Sequence, residues 1–240
     1  MIAVPAHGRV FSAQRRVRLG DITTTGRLRL DALARYLQDV SNDDTADSGL
    51  TDPWDWLVRR TEIVVEAWPR LDDLVTLTTF CGGLGPRWAE RRVQVVSASG
   101  AVIDAATIWV SMDRDTGRPR PLSDSFHEIF AATARGRRVS ARLDTPEIGD
   151  NHESLAWSVR ASDLDVLGHV NNTNYWAGVE ELLHLDHDLG TDPDLPLTAR
   201  LGFITPIEAD DRVEIVHDGA QLWFRNLDDA TVHAAGVVTR

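Results

Sequence analysis

Residues Asp163-Leu164-Asp165-Val166-Leu167-Gly168-His169-Val170-Asn171-Asn172-Thr173-Asn174-Tyr175 bring two acids, a histidine and a pair of adjacent asparagines into one short stretch. Polar residues this dense around a glycine read as a loop, and an apolar stripe at helical spacing follows in Tyr175, Val179, Leu182 and Leu183. Just upstream, Val159-Arg160-Ala161-Ser162-Asp163 matches Val17-Arg18-Leu19-Gly20-Asp21, with Val, Arg and Asp each 142 positions apart, and the same offset aligns Gly26 with Gly168. The first copy also runs into a helical stripe, made by Leu30, Leu33, Ala34, Leu37 and Val40. Internal repetition of this kind points to duplication.

Strand-like segments follow each helix. The first set is Glu62 to Trp68, Leu74 to Phe80, Arg91 to Ser97 and Val102 to Met112, separated by turn signals at Pro69 to Asp73, Gly82 to Pro86 and Ser99-Gly100. The second set is Ala199 to Thr205, Arg212 to His217, Gln221 to Arg225 and Thr231 to Thr239, and Asp210-Asp211-Arg212-Val213 echoes Asp72-Asp73-Leu74-Val75. Each half therefore reads as strand, long helix and antiparallel meander, an α+β plan with one helix on one curved sheet. The expected boundaries are a first domain at 1–122, a linker at 123–152 mixing Arg, Gly, Asp and Pro, and a second domain at 153–240.

Composition narrows the function classes. A content of 42% apolar and 26% charged residues is that of a soluble globular protein, and no apolar run is long enough to cross a membrane. Met1 to Arg9 lacks the apolar core of a signal peptide, and the single cysteine, Cys81, forms no intrachain disulfide. Both features point to the reducing cytoplasm. No metal site or cofactor is called for. The net charge of −12 argues against nucleic acid as a partner. All 25 basic residues are arginine, and residues 82–142 hold ten of them against six acids, a net of +4 that leaves −16 for the remainder. An acidic partner would dock on that stretch, where Arg135, Arg137 and Arg138 cluster, or on a patch that folding assembles.

The segment from Asp163 to Tyr175 resembles the D-x-D-x-x-G-H-V-N-N-x-x-Y signature of hot-dog thioesterases that act on acyl-CoA and acyl-ACP. Gly26 to Asp39, Trp56 to Arg60, Trp88 to Arg92, Trp109 to Asp113 and Thr116 to Pro119 resemble, in the same order, segments of the acyl-ACP thioesterases. The resemblance implies two tandem hot-dog domains, each a long helix wrapped by an antiparallel sheet. It also implies an acyl carrier protein bearing a fatty acyl chain as the partner. Two such units can pair within one chain, so monomer and homodimer both fit.

Thioester hydrolysis requires a nucleophile or general base, donors to the developing oxyanion and a pocket for the acyl chain. Asp165 matches the catalytic acid of the resembled families, as base or as nucleophile. The repeat supports it, because Asp163 pairs with Asp21 at the 142 offset whereas Asp165 pairs with Thr23. His169 pairs with Arg27 and is equally specific to the second half; it orients the carbonyl or water, or it satisfies a loop carbonyl. Of Asn171 and Asn172, one caps the following helix and the other aims its amide at substrate. Tyr175 and Trp176 fit pocket wall or core. Two positions depart from the plant-type pattern: Leu167 stands where those enzymes carry an asparagine, and their Glu-Cys pair is missing from Phe203 to Glu208, whose one acid is Glu208. Two other functions suit the same residues: hydrolysis of acyl-CoA, and binding of acyl thioesters without turnover.

Overall fold

Strands β1 (Val10–Arg16), β2 (Trp56–Ala67), β3 (Leu74–Leu84), β4 (Trp88–Ser97) and β5 (Val102–Ser111) fill the first half of the chain. Strands β6 (Glu153–Trp157), β7 (Leu197–Phe203), β8 (Val213–Asp218), β9 (Gln221–Asn226) and β10 (Val232–Thr239) fill the second. The structure is a computed structural model that describes residues 2–50, 56–149, 152–185, 192 and 194–240. All ten strands join in one sheet of order β1-β3-β4-β5-β2-β7-β10-β9-β8-β6. That order is palindromic when each strand is exchanged for its counterpart in the other half, so the repeat read in sequence becomes a pseudo-twofold in topology. The seam is an antiparallel ladder running from Arg60↔Gly202 to Val65↔Leu197.

Helices α1 (Leu30–Ser48) and α3 (Tyr175–Leu185) follow the two repeated loops and pack on each other. The stripe from Leu30 to Val40 is buried against Ile63, Leu77 and Val95 of the sheet, and Val179 and Leu182 of α3 join the same core. Helix α1 ends where Gly49 turns left-handed (φ 73°) and its N–H reaches the carbonyl of Ala46, a stop that glycine makes at little steric cost.

The expected linker at 123–152 holds an element that its composition concealed. Helix α2 (Asp124–Ala134) begins with Ser123, whose hydroxyl accepts the N–H of Phe126 at 3.1 Å. Its buried Phe126 and Phe130 stack on each other (5.0 Å between centroids), and Phe126 lies 5.2 Å from Trp56. Phe126, Ile129, Phe130 and Ala134 form a helical stripe, but the Arg- and Gly-rich residues after it dominate the average over the segment. The chain beyond α2 runs back across the seam. There Arg60 donates to the carbonyl of Arg142 at 3.0 Å and Trp223 to that of Pro146 at 3.0 Å.

The start of α1 lacks a capping side chain of its own. Glu180 of α3 takes that role, accepting the N–H of Leu30 at 3.0 Å and the guanidinium of Arg27 at 2.6 and 3.2 Å. Arg27 is 2% exposed and lies 4.3 Å from the Trp68 ring centre. A carboxylate at a helix N-terminus opposite a buried cation is held by both the dipole and the ion pair. Removing it leaves the buried guanidinium without its counter-charge, with only the Leu28 carbonyl and the Trp68 ring beside it. Glu180→Ala is expected to destabilise the fold by about 3–5 kcal/mol, read as a lower midpoint in urea unfolding at unchanged slope.

Candidate active site

The two repeated loops share a backbone frame. In each, a short 3₁₀ turn (Leu19–Asp21, Ala161–Asp163) is closed by its last aspartate, Asp21 accepting from the Arg18 N–H at 3.1 Å and Asp163 from Arg160 at 2.9 Å. Bridges Ile22↔Leu28 and Leu164↔Val170 follow, with Thr23 N–H donating to Arg27 and Asp165 N–H to His169, each at 2.8 Å. Gly26 and Gly168 stand at φ 87° and 81°, a conformation that favours glycine. The aspartate common to both halves builds the turn.

Within that shared frame the side chains diverge. Asp165 is half-buried and accepts the Leu167 N–H at 2.8 Å through Oδ1; its Oδ2 accepts from no described residue. His169 Nε2 lies 3.3 Å from Glu208 Oε1, and the two residues also form a backbone bridge. The side chains are 34% and 59% exposed, so this contact orients the imidazole more than it stabilises the fold. The acid from the second-half strand region thus arrives beside the histidine. Leu167 is 63% exposed and points no donor inward.

The adjacent asparagines separate by role. Asn171 accepts the N–H and hydroxyl of Thr173, each at 2.9 Å, which caps the approach to α3. Asn172 bonds to no described residue through its side chain or its N–H. It lines a pocket together with Thr173, Trp176, Leu37, Gln38, Ser41 and Trp109. A second pocket shares Ser41 and Trp109 as walls and is lined further by Leu50, Trp56, Cys81, Phe126 and Phe130. Trp176 therefore borders the first cavity. Tyr175, 2% exposed, sits among Phe203, Phe224 and Trp157 in the core.

Arg135, Arg137 and Arg138 lie just beyond α2, and the pocket that Arg137 and Arg138 line holds no residue of the His169 loop. Arg137 pairs with Glu90 and donates to the Gly82 carbonyl at 2.8 Å, so it also secures the strand beneath. The cavity wall formed by Gln38, Ser41 and Trp109 was not singled out in sequence. Gln38 was legible only through its partner at the 142 offset, Glu180.

Residues 8–130 match the model of the acyl-ACP thioesterase N-terminal domain and residues 147–233 that of the C-terminal domain. The chain belongs to the acyl-ACP thioesterase family. An uncharacterised protein of Mycobacterium tuberculosis is 32% identical over 100% of this chain and 96% of its own length. The chloroplastic oleoyl-acyl carrier protein thioesterase of Coriandrum sativum is 30% identical over 52% of this chain and 37% of that protein. In fold, the 12:0-ACP thioesterase from Umbellularia californica superposes with a TM-score of 0.76 at 19% identity, covering 98% of each chain. An acyl-ACP thioesterase from Bacteroides thetaiotaomicron gives 0.75 at 14% identity, covering 96% of this chain and 97% of that one. The fold of this acyl-ACP thioesterase family member is thus the double hot-dog.

Family membership makes the chain a thioester hydrolase in general terms, and its one thiol is poorly suited to nucleophilic work. Burial pushes Cys81 up to about 11, although its sulfur lies 3.6 Å from the Gly83 carbonyl. At pH 8 only about one thiol in a thousand is then ionised. Native protein is expected to resist iodoacetamide at pH 8 and to alkylate stoichiometrically in denaturant, as intact-mass spectrometry reads it.

Proposed function

We propose that this protein hydrolyses fatty acyl-ACP, releasing free fatty acid and the carrier thiol, with Asp165 acting on the attacking water. The observation that carries this reading is the place of Asn172, at the end of the loop that carries Asp165 and His169, in the wall of a pocket that shares Ser41 and Trp109 with a second pocket lined by Phe126 and Phe130. An acyl chain seated there brings its thioester to Asn172 and the start of α3. The first half supplies a guide to the carbonyl site. There the Leu30 N–H donates to a carboxylate oxygen of Glu180, and the position equivalent to Leu30 is Asn172, whose N–H has no described partner. That N–H, at the approach to a helix, suits the carbonyl oxygen of a thioester.

In the reaction, water adds to the carbonyl carbon as its proton passes to Asp165, and the C=O electron pair moves onto oxygen. The tetrahedral intermediate then collapses and the carbon–sulfur bond breaks. The proton held by Asp165 goes to the departing thiolate. His169, oriented by Glu208, donates to water or to the intermediate. Attack by Asp165 itself to form a mixed anhydride, later opened by water, uses the same contacts.

The carrier is the acidic acyl carrier protein, met by the exposed Arg135 and Arg138 near α2. Against a background of −12, local positive charge speeds the encounter of two acidic proteins. Wild type is expected to release thiol from acyl-ACP. Asp165→Ala, folded by circular dichroism, should lose about 10²- to 10⁴-fold in kcat. Arg135→Glu with Arg138→Glu should raise KM for acyl-ACP and leave acyl-CoA unchanged. Equal turnover by wild type and Asp165→Ala would remove Asp165 from the mechanism, and a preference for acyl-CoA would move the reading to that carrier.

A further inference from the structure

The pseudo-twofold pairs the carboxylate of Glu180 with the carboxamide of Gln38, because both stand 142 positions apart on α1 and α3 as Arg27 and His169 do on the loops. In the first-half copy, Glu180 crosses from one helix to the start of the other, meeting Arg27 and the Leu30 N–H. The same reach in the second-half copy takes Gln38 from α1 toward the Asn172 end of α3. The cavity agrees, since Gln38 and Asn172 share its wall. The Gln38 side chain is half-buried and bonds to no described residue, whereas that of Glu180 is fully engaged. One copy is closed by an ion pair and the other is left with unspent carboxamides around open space.

We propose that Gln38 donates its carboxamide N–H to the thioester carbonyl oxygen, forming an oxyanion site with the Asn172 N–H. This rests on the hydrolytic reading above and adds the residue that the other half of the chain supplies. It also answers the substitution at Leu167. The side-chain donor missing from the loop is replaced from α1, on the opposite side of the cavity. A neutral donor suits this place. It stabilises charge that develops on oxygen without a fixed positive charge to desolvate, and an acid at the same position would repel the intermediate.

The experiment compares wild type, Gln38→Leu, Gln38→Glu and Asp165→Ala, each shown folded by thermal unfolding. Thiol release from palmitoyl-ACP gives kcat and KM. In parallel, a palmitoyl phosphopantetheine analogue with a methylene in place of the thioester sulfur, ¹³C-labelled at the ketone carbonyl, is bound and its carbonyl resonance recorded. The expected result is a loss of about 10²- to 10³-fold in kcat for Gln38→Leu, as for removal of one oxyanion donor. KM should change little, and Gln38→Glu should fall at least as far. The bound ketone should move downfield in wild type and return toward its solution position in Gln38→Leu. A folded Gln38→Leu with kcat within threefold of wild type and an unmoved ketone resonance overturns the proposal. If Asp165→Ala is inactive in that same set, the hydrolase reading stands without Gln38. If wild type releases no thiol, the hydrolase reading falls, and the ketone resonance alone decides whether Gln38 grips the carbonyl.

Discussion

The ladder between β2 and β7 is the constraint on which the rest of the molecule depends. Strand β2 pairs with β5 along one edge and with β7 along the other, so neither half presents a bare inner edge. An exposed edge of that length would invite pairing with other chains. Fixing the seam also fixes the helices, because each lies over its own half of one continuous sheet. Helices α1 and α3 are thereby forced side by side. Every feature that joins the halves follows, including the cap that α3 provides for α1 and the cavity that α1 shares with the start of α3.

Duplication supplied the frame and divergence divided the work. The two loops keep the same turn, the same bridge and the same left-handed glycine, yet equivalent positions carry Thr23 and Arg27 in one and Asp165 and His169 in the other. In the first copy Arg27 and Glu180 bury two opposite charges beside Trp68. Burying ions is costly unless their polar atoms are engaged. Here the Leu30 N–H completes the carboxylate and the Leu28 carbonyl accepts from the guanidinium, while Arg27 Nε has no partner among the described residues. That copy serves stability. Among the described residues the second copy holds no ion pair of equal burial at the equivalent place, and a pocket lies there instead.

Much of this was readable in the chain because repetition makes pattern visible. The 142-residue offset, two helical stripes and eight strand segments predicted the α+β duplication, and the divergent pair Asp165 and Thr23 marked the loop that differs. Three things stayed hidden for physical reasons. Helix α2 is short, and its Phe126–Ala134 stripe abuts Gly136 and several arginines that read as linker. The separation of Asn171 from Asn172 depends on which carboxamide folds back on Thr173, and sequence spacing does not encode that. The approach of Glu208 to His169 arises from pairing between a loop and a distant turn. Contacts of that range are set by sheet register, which a local pattern does not reveal.

The tolerance of the loop for Leu167 follows from what holds Asp165. The carboxylate is aimed by the main-chain N–H of residue 167, whereas that residue's side chain turns to solvent. Replacing a side chain there leaves the backbone bond intact and so leaves the aim of the acid intact. What a leucine lacks there is a side-chain donor. Donors in such a site need only converge on one oxygen, and they can come from any element that borders the cavity. A seam that presses α1 against the loop provides that element. Sheet pairing, by setting α1 beside α3, brings Gln38 of one half and Asn172 of the other into the wall of one pocket.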